Sequence, residues 1–119
     1  MSLEAPQQLR VSADRRTLTV KYAHGSEYTL PAELLRVQSP SAEVQGHSPE
    51  QRKLVHGKRK VEITRIDPVG NYAVRITFGD GHNTGIYTWT YLSELGENLP
   101  ERLAEYEAEL AAKGLSRDA

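Results

Sequence analysis

The seven residues from Tyr72 to Phe78, YAVRITF, run straight into Gly79-Asp80-Gly81-His82 and constrain the fold more than any other stretch. Tyr72, Val74, Ile76 and Phe78 fall on one side of an extended chain, and Ala73, Arg75 and Thr77 on the other. A period of two marks a strand with one buried face. Asp-Gly directly after such a run signals a reversal: Gly81 can take a positive φ, and Asp80 can accept from backbone donors two residues on. Thr84 to Tyr87 is the expected returning strand. The chain must therefore build at least one antiparallel sheet.

The rest of the pattern extends that sheet. Gln8 to Ser12 and Thr17 to Tyr22 alternate too, and the polar link Ala13-Asp14-Arg15-Arg16 predicts a hairpin. His24-Gly25-Ser26 turns the chain again, and Glu27 to Leu30 returns. Lys60 to Ile66 alternates with one slip, and Asp67 to Asn71, DPVGN, reads as a turn. Helical signals come in three places. Pro31 opens PAELLRV at a first turn, Thr88 to Leu95 follows later, and a last helix opens near Asn98, Pro100 and Glu101. That helix carries Leu103, Tyr106 and Leu110 on one stripe and closes at Lys113-Gly114. Gln38 to Gly57 shows little periodicity and reads as a long loop. The fold class is α+β: a mostly antiparallel sheet, a short mid-chain helix, and a C-terminal helix packed on or beside the sheet.

At 119 residues the chain can bury a core without a disulfide or a structural metal. Lack of cysteine removes thiolate ligands and cysteine nucleophiles, so no iron–sulfur cluster could be held by cysteines of this chain. No apolar run approaches the ~18–20 residues of a membrane span. MSLEAPQQLR lacks the basic and apolar regions of a signal peptide, so a cytoplasmic protein is expected. The net charge of -1 gives no overall attraction to nucleic acid. Locally, Arg52, Lys53, Lys58, Arg59 and Lys60 form a basic cluster that is either a solvated loop or a weak phosphate contact.

His82 is open to three readings: a metal ligand, a catalytic base, or a hydrogen-bonded residue packed on Trp89. His24, His47, His56 and His82 have none of the close spacings of local zinc motifs. The His-x-Asp/Glu pair of facial-triad iron sites is also missing. A metal site would have to be assembled from distant loops, for example His82 with His47 and Glu43. No nucleophile elbow or phosphate-binding glycine motif is present.

Two stretches carry a family likeness. Leu34-Leu35-Arg36, Ser39-Pro40-Ser41-Ala42-Glu43-Val44 and Gly46-His47 form the first, and Gly79-Asp80-Gly81-His82-Asn83-Thr84-Gly85-Ile86-Tyr87-Thr88-Trp89 the second. In order and spacing they resemble the γ-butyrobetaine hydroxylase-like N-terminal domain family. The resemblance implies a domain over residues 6–95, after a disordered 1–5. The helix of residues 96–114 would pack on it, and residues 115–119 would fray. It also implies a zinc corner of three cysteines and the histidine of Asp-Gly-His. Ser39, Ser41 and Val44 stand where those cysteines would be, and His82 alone is kept. No metal or other cofactor is therefore expected, with zinc or iron at His82, His47 and Glu43 as the alternative. The 39–44 loop should lie near His82, with serine hydroxyls or carbonyls replacing the ligands.

Family members of this kind precede an iron- and 2-oxoglutarate-dependent catalytic domain, stand alone, or are fused to iron–sulfur ATPases. The resemblance thus implies a non-catalytic accessory module with a protein partner, such as an enzyme or an iron–sulfur carrier. It implies no membrane role, and nucleic-acid contact is the weakest reading. Its candidate surface is Ser39, Ser41, Glu43, His47, Asp80, His82 and Trp89.

Overall fold

The structure, a computed structural model, describes residues 5–46 and 48–118. Residues 1–4, which hold most of the stretch expected to be disordered, lie outside the described residues, as do His47 and Ala119.

The chain forms two three-stranded antiparallel sheets facing one core. The first orders β1 (Gln8–Val11), β2 (Thr17–Lys21) and β3 (Glu27–Pro31). Its register places Leu9 and Tyr28 on either side of Val20, and Val11 and Leu30 on either side of Leu18. These six form the core face. The second sheet orders β4 (Ile63–Val69), β5 (Ala73–Phe78) and β6 (Ile86–Thr88). The sheets are stitched through the β1–β2 turn. Arg15, at φ 62, receives a bond from the Ile63 N–H of β4 at 2.7 Å; on the first sheet's own side, Arg16 O accepts from Ala32 N–H at 2.7 Å.

The slip in the Lys60–Ile66 pattern has a structural cause. Ile63 and Ile66 are three apart, so both can meet the core only if one residue is skipped. The register jumps from Ile63↔Phe78 to Arg65↔Thr77, which makes Thr64 a β-bulge. The turn expected at Asp67–Asn71 is shorter than the sequence suggests. Asp67, Pro68 and Val69 continue β4, with Pro68 opposite Val74, and the turn itself is Gly70-Asn71-Tyr72. Proline is tolerated because β4 is an edge strand. Tyr72, expected on the buried face, precedes β5 and is 53% exposed.

Helices close the open side. α1 (Ala32–Val37) starts one residue later than expected, with Pro31 as its N-cap and as the last residue of β3. The 38–57 loop contains a one-turn helix, α2 (Ala42–Gln45), and a 3-10 turn at residues 49–51. α3 (Trp89–Glu97) begins after Thr88, whose hydroxyl caps Tyr91 N–H at 3.1 Å. Its Trp89, Leu92 and Leu95 join Leu18, Val20, Leu30, Ile76, Phe78 and Tyr87 in the main core. α4 (Leu99–Lys113) lies beside the sheets rather than on them. Its stripe, Leu103, Tyr106 and Leu110, meets Leu34 and Val37 of α1 and Leu54, Val55 and Leu115 in a second, smaller core. The tail expected to fray is tied down at residues 115–118: Gly57 and Arg59 N–H groups donate to Ser116 and Arg117 carbonyls, each at 3.0 Å.

Gly96 shows how closely α3 seats on the first sheet. A Cβ there would lie 2.2 Å from Tyr28 Cγ and 2.7 Å from Tyr28 Cβ. In an exposed helix Gly→Ala stabilises by about 1 kcal/mol. Here overpacking against a ring root dominates, which typically costs ~1–3 kcal/mol. Thermal melts of Gly96→Ala should therefore show a midpoint several degrees below the parent. An equal or higher midpoint would mean that α3 does not rest on Tyr28.

Candidate functional site

The site grows from the turn after β5. Phe78 N–H donates to His82 O and Gly81 N–H to Phe78 O, both at 2.9 Å. Gly81 sits at φ 92, the positive φ that the turn requires. Asp80 Oδ1 accepts from His82 N–H at 3.1 Å, as an aspartate two residues upstream can. The imidazole is thereby delivered against the 39–45 segment, its ring 6.2 Å from that of Phe78, centroid to centroid.

That segment has its own local logic. Ser41 is the N-cap of α2, its hydroxyl accepting from Glu43 N–H at 3.1 Å. Ser39 is fully buried, and Ser41 and His82 are 7% and 9% exposed. Between the two segments runs one hydrogen-bond chain. Ser39 Oγ lies 2.9 Å from His82 Nε2, and Glu43 Oε2 lies 3.3 Å from His82 Nδ1. Thr84 Oγ1 lies 2.9 Å from the same Glu43 oxygen and 2.6 Å from Ser41 Oγ.

The partners fix the proton positions. A carboxylate only accepts, so beside Glu43 His82 carries its proton on Nδ1 and Thr84 donates its hydroxyl. Nε2 then accepts from the Ser39 hydroxyl, and Ser41 donates to Thr84. Ser39 Oγ in turn accepts from Ser41 N–H at 3.3 Å. Each side-chain group in the chain finds a partner of the right sense. Burial, and then the Arg36 charge, hold the His82 pKa below 6.5; the Glu43 and Asp80 carboxylates oppose them and are outweighed. A neutral imidazole is what this chain needs.

Gly85 makes the approach possible. A Cβ there would stand 2.4 Å from Ser39 Oγ and 3.0 Å from the Tyr87 ring. This close pass also explains the late start of β6. Thr84 and Gly85 are drawn toward the 39–43 segment, so pairing resumes at Ile86 rather than Thr84.

Connectivity from Ser39 through His82 to Glu43 matches that of a nucleophile, a base and an orienting acid. Access does not. Ser39 is 0% exposed and lies against Gly85, so no acyl group can reach its oxygen.

Asp80 forms a second hub. Its Oδ2 accepts from Arg36 Nε at 2.8 Å and Lys58 Nζ at 2.7 Å. Burial, the largest single influence, pushes its pKa up. Hydrogen bonds from Lys58, the His82 backbone and Arg36 together outweigh it and hold the carboxyl at about 2. Arg36, Lys58, Thr84 and Gly85 are the site residues that sequence reasoning did not assign. Three of them stood inside the quoted family stretches, whereas Lys58 gave no signal beyond its charge.

Trp89 does not join the site. Its indole N–H donates to Asn71 O at 2.9 Å, at the start of β5, whereas His82 follows the end of that strand. Six strand residues separate the two by ~16 Å or more. Phe78 supplies the apolar wall expected of Trp89. His47 lies outside the described residues. His56 and His24 are exposed, and His24 stacks on Tyr22.

A zinc test is decided by donor chemistry. Both serine hydroxyls are engaged as hydrogen-bond partners, and Val44 has no donor atom. These residues do not fit the thiolate corner that the resemblance implies. Among the described residues no group of three His, Cys, Asp or Glu side chains could hold a metal ion. The basic cluster is largely matched within the chain: Arg52 pairs with Glu109, Lys58 with Asp80, and Arg59 with Asp118.

Asp80 gives the site a pH signature. Its folded pKa of about 2 lies below the unfolded 3.8, so its contribution is complete above about pH 4 and is lost as pH falls toward 2. Asp80→Asn should lower stability on the order of 1 kcal/mol at neutral pH, after discounting for screening at this partly exposed group. Urea titrations should show that gap closing between pH 4 and 2. A gap independent of pH would mean that the Asp80 charge is not used.

The profile described as Gamma-butyrobetaine hydroxylase-like, N-terminal, matches residues 9–93. Two solution NMR structures are similar at 44% and 43% identity, with TM-scores of 0.83 and 0.82. They cover 98% and 96% of this chain and 92% and 85% of their own. A crystal structure from Acidithiobacillus ferrooxidans, a DUF971-family protein of unknown function, is 40% identical with a TM-score of 0.64. It covers 76% of this chain and 91% of its own. No curated protein matches. The chain belongs to the γ-butyrobetaine hydroxylase-like N-terminal domain family.

Proposed function

We propose that this protein is a non-catalytic accessory module that works by binding a protein partner. The observation that carries the proposal is the closed hydrogen-bond chain at Ser39, Ser41, Glu43, His82 and Thr84. A reactive centre leaves a group free to meet a substrate, and this corner commits its groups to one another. What remains is a rigid corner joining the α1–α2 segment to the β5–β6 hairpin, suited to presenting a surface. The family likeness directs the search for partners toward enzymes and iron–sulfur carriers in the cytoplasm. No helix among the described residues is long and apolar enough to cross a membrane, in keeping with a soluble partner.

One observation favours metal binding as a second reading: the His82 Nδ1 and Glu43 Oε2 atoms are adjacent, at 3.3 Å. Two donors fall short of a zinc or iron site, so a third would have to come from His47. Contact with nucleic acid is the weakest reading, because the basic cluster is matched internally and the net charge is -1.

Untagged protein, recovered with its partners from native lysate and analysed for metal, separates these readings. The accessory reading expects a stoichiometric protein partner and no metal that survives a chelator. One zinc or iron per chain after chelation would overturn it in favour of the second. His82→Ala should lower the melting midpoint by about 4–12 °C, from ~1–3 kcal/mol for a buried partner left unsatisfied. Chelation should leave the parent midpoint unchanged. A variant that melts like the parent, or a chelator that mimics it, would contradict a structural His82.

A further inference from the structure

Residues 115–118 lie in a groove built to receive them. Gly114, at φ 65, ends α4 and redirects the chain. Leu115 enters the second core beside Leu34, Val37, Tyr106 and Leu110. The Ser116 and Arg117 carbonyls accept from Gly57 and Arg59 N–H groups, both at 3.0 Å. Arg117 then reaches Glu33 with two nitrogens, Nη2 to Oε1 at 2.7 Å and Nε to Oε2 at 2.9 Å. Its third nitrogen donates to Glu107 at 3.0 Å, and Asp118 meets Arg59 at 2.8 Å. A cleft of about 320 Å³, lined by Gly57, Arg59, Lys60, Arg117 and Asp118, runs alongside.

Glu33 is the telling residue. It is 5% exposed, and a carboxylate at that depth is unfavourable unless a cation with matching geometry meets it. A guanidinium fork meets it from both sides, whereas a lysine would meet it at one point. The groove thus reads three features of an extended segment: an apolar side chain, an arginine two residues on, and a carboxylate next to that. Two backbone bonds, from Gly57 and Arg59, hold the main chain in place.

We propose that this groove is a peptide-docking site, occupied in cis by residues 115–118. A partner protein enters it with an extended segment of the same apolar-x-Arg-acidic chemistry. The proposal rests on the accessory reading and gives it a surface. Charge complementarity identifies the occupant, since buried Glu33 with Glu107 calls for arginine and Arg59 for the acid after it. The cis segment competes at an effective concentration on the order of millimolar, so it sets the threshold that an incoming segment must exceed.

Fluorescence polarisation with a labelled Gly-Leu-Ser-Arg-Asp-Ala peptide tests this on the full chain. The parent, Arg117→Ala and Arg117→Lys are compared, each checked for folding by circular dichroism. Arg117→Lys keeps the charge and weakens only the fork, so it decides the matter if Arg117→Ala does not fold. The variants should bind the peptide at least tenfold more tightly than the parent, because their cis segment competes less well. Replacing the peptide arginine with lysine, or adding Glu33→Gln, should cost about tenfold or more. No binding by folded Arg117→Lys, or equal binding by parent and variant, would overturn the proposal. So would variants that form dimers by exchanging their own tails in preference to binding peptide. A partner captured from lysate by a protein that does not bind this peptide would overturn the groove while leaving the accessory reading intact.

Discussion

Ser39 and His82 meet across 43 positions of sequence at 2.9 Å, inside the protein, and much of the structure is arranged so that they can. The contact joins the segment after α1 to the turn after β5. Its geometry depends on Gly81 to aim the imidazole, on Gly85 to let the serine approach, and on Asp80 to brace the turn. A neutral histidine is the one ring that can accept from a serine on one nitrogen while donating to a carboxylate on the other. Two donor arms, Ser39 to His82 and Ser41 to Thr84, therefore converge on the Glu43 carboxylate, and that convergence ties the two segments together.

Asp80 extends the same corner outward. It receives Arg36 from α1 and Lys58 from the end of the long loop, so three separated segments converge on one carboxylate. Beyond Lys58, Arg59 and Gly57 hold residues 116–117, and Arg117 returns to Glu33 in α1. The second core below α4 is thus bounded by charged contacts on its rim. The 38–57 loop, which carries one turn of α-helix and one of 3-10 helix among its described residues, takes its position from these contacts and from the bond between Tyr106 Oη and Val55 O at 2.8 Å.

What could be read from sequence followed physical range. Period-two alternation placed four strands, and the turns before Glu27 and Thr84 placed the two returning ones, all to within a few residues, because alternation and turn chemistry are local properties. The late helices were marked by caps and a stripe, also local. Pro68 misled, because a proline two residues before a glycine signals a turn, and only sheet order shows that an edge strand can hold it. Tyr72 misled because alternation gives a face and cannot say where the strand begins. At the site, the motif residues Ser39, Ser41, Glu43, Asp80 and His82 come together, but Trp89 does not, since it lies at the far end of the hairpin from His82. Lys58 and the 115–118 segment were invisible, as long-range ion pairs leave no periodic trace.

Nitrogen-15 NMR of the His82 ring tests the central claim most directly. The account requires a neutral imidazole protonated on Nδ1 and accepting on Nε2, and this state should persist as pH falls below the ordinary histidine value of 6.5. Added zinc should leave both nitrogen shifts in place. An Nε2-protonated ring, an imidazolium already formed above pH 6.5, or a shift of either nitrogen on stoichiometric zinc would contradict it.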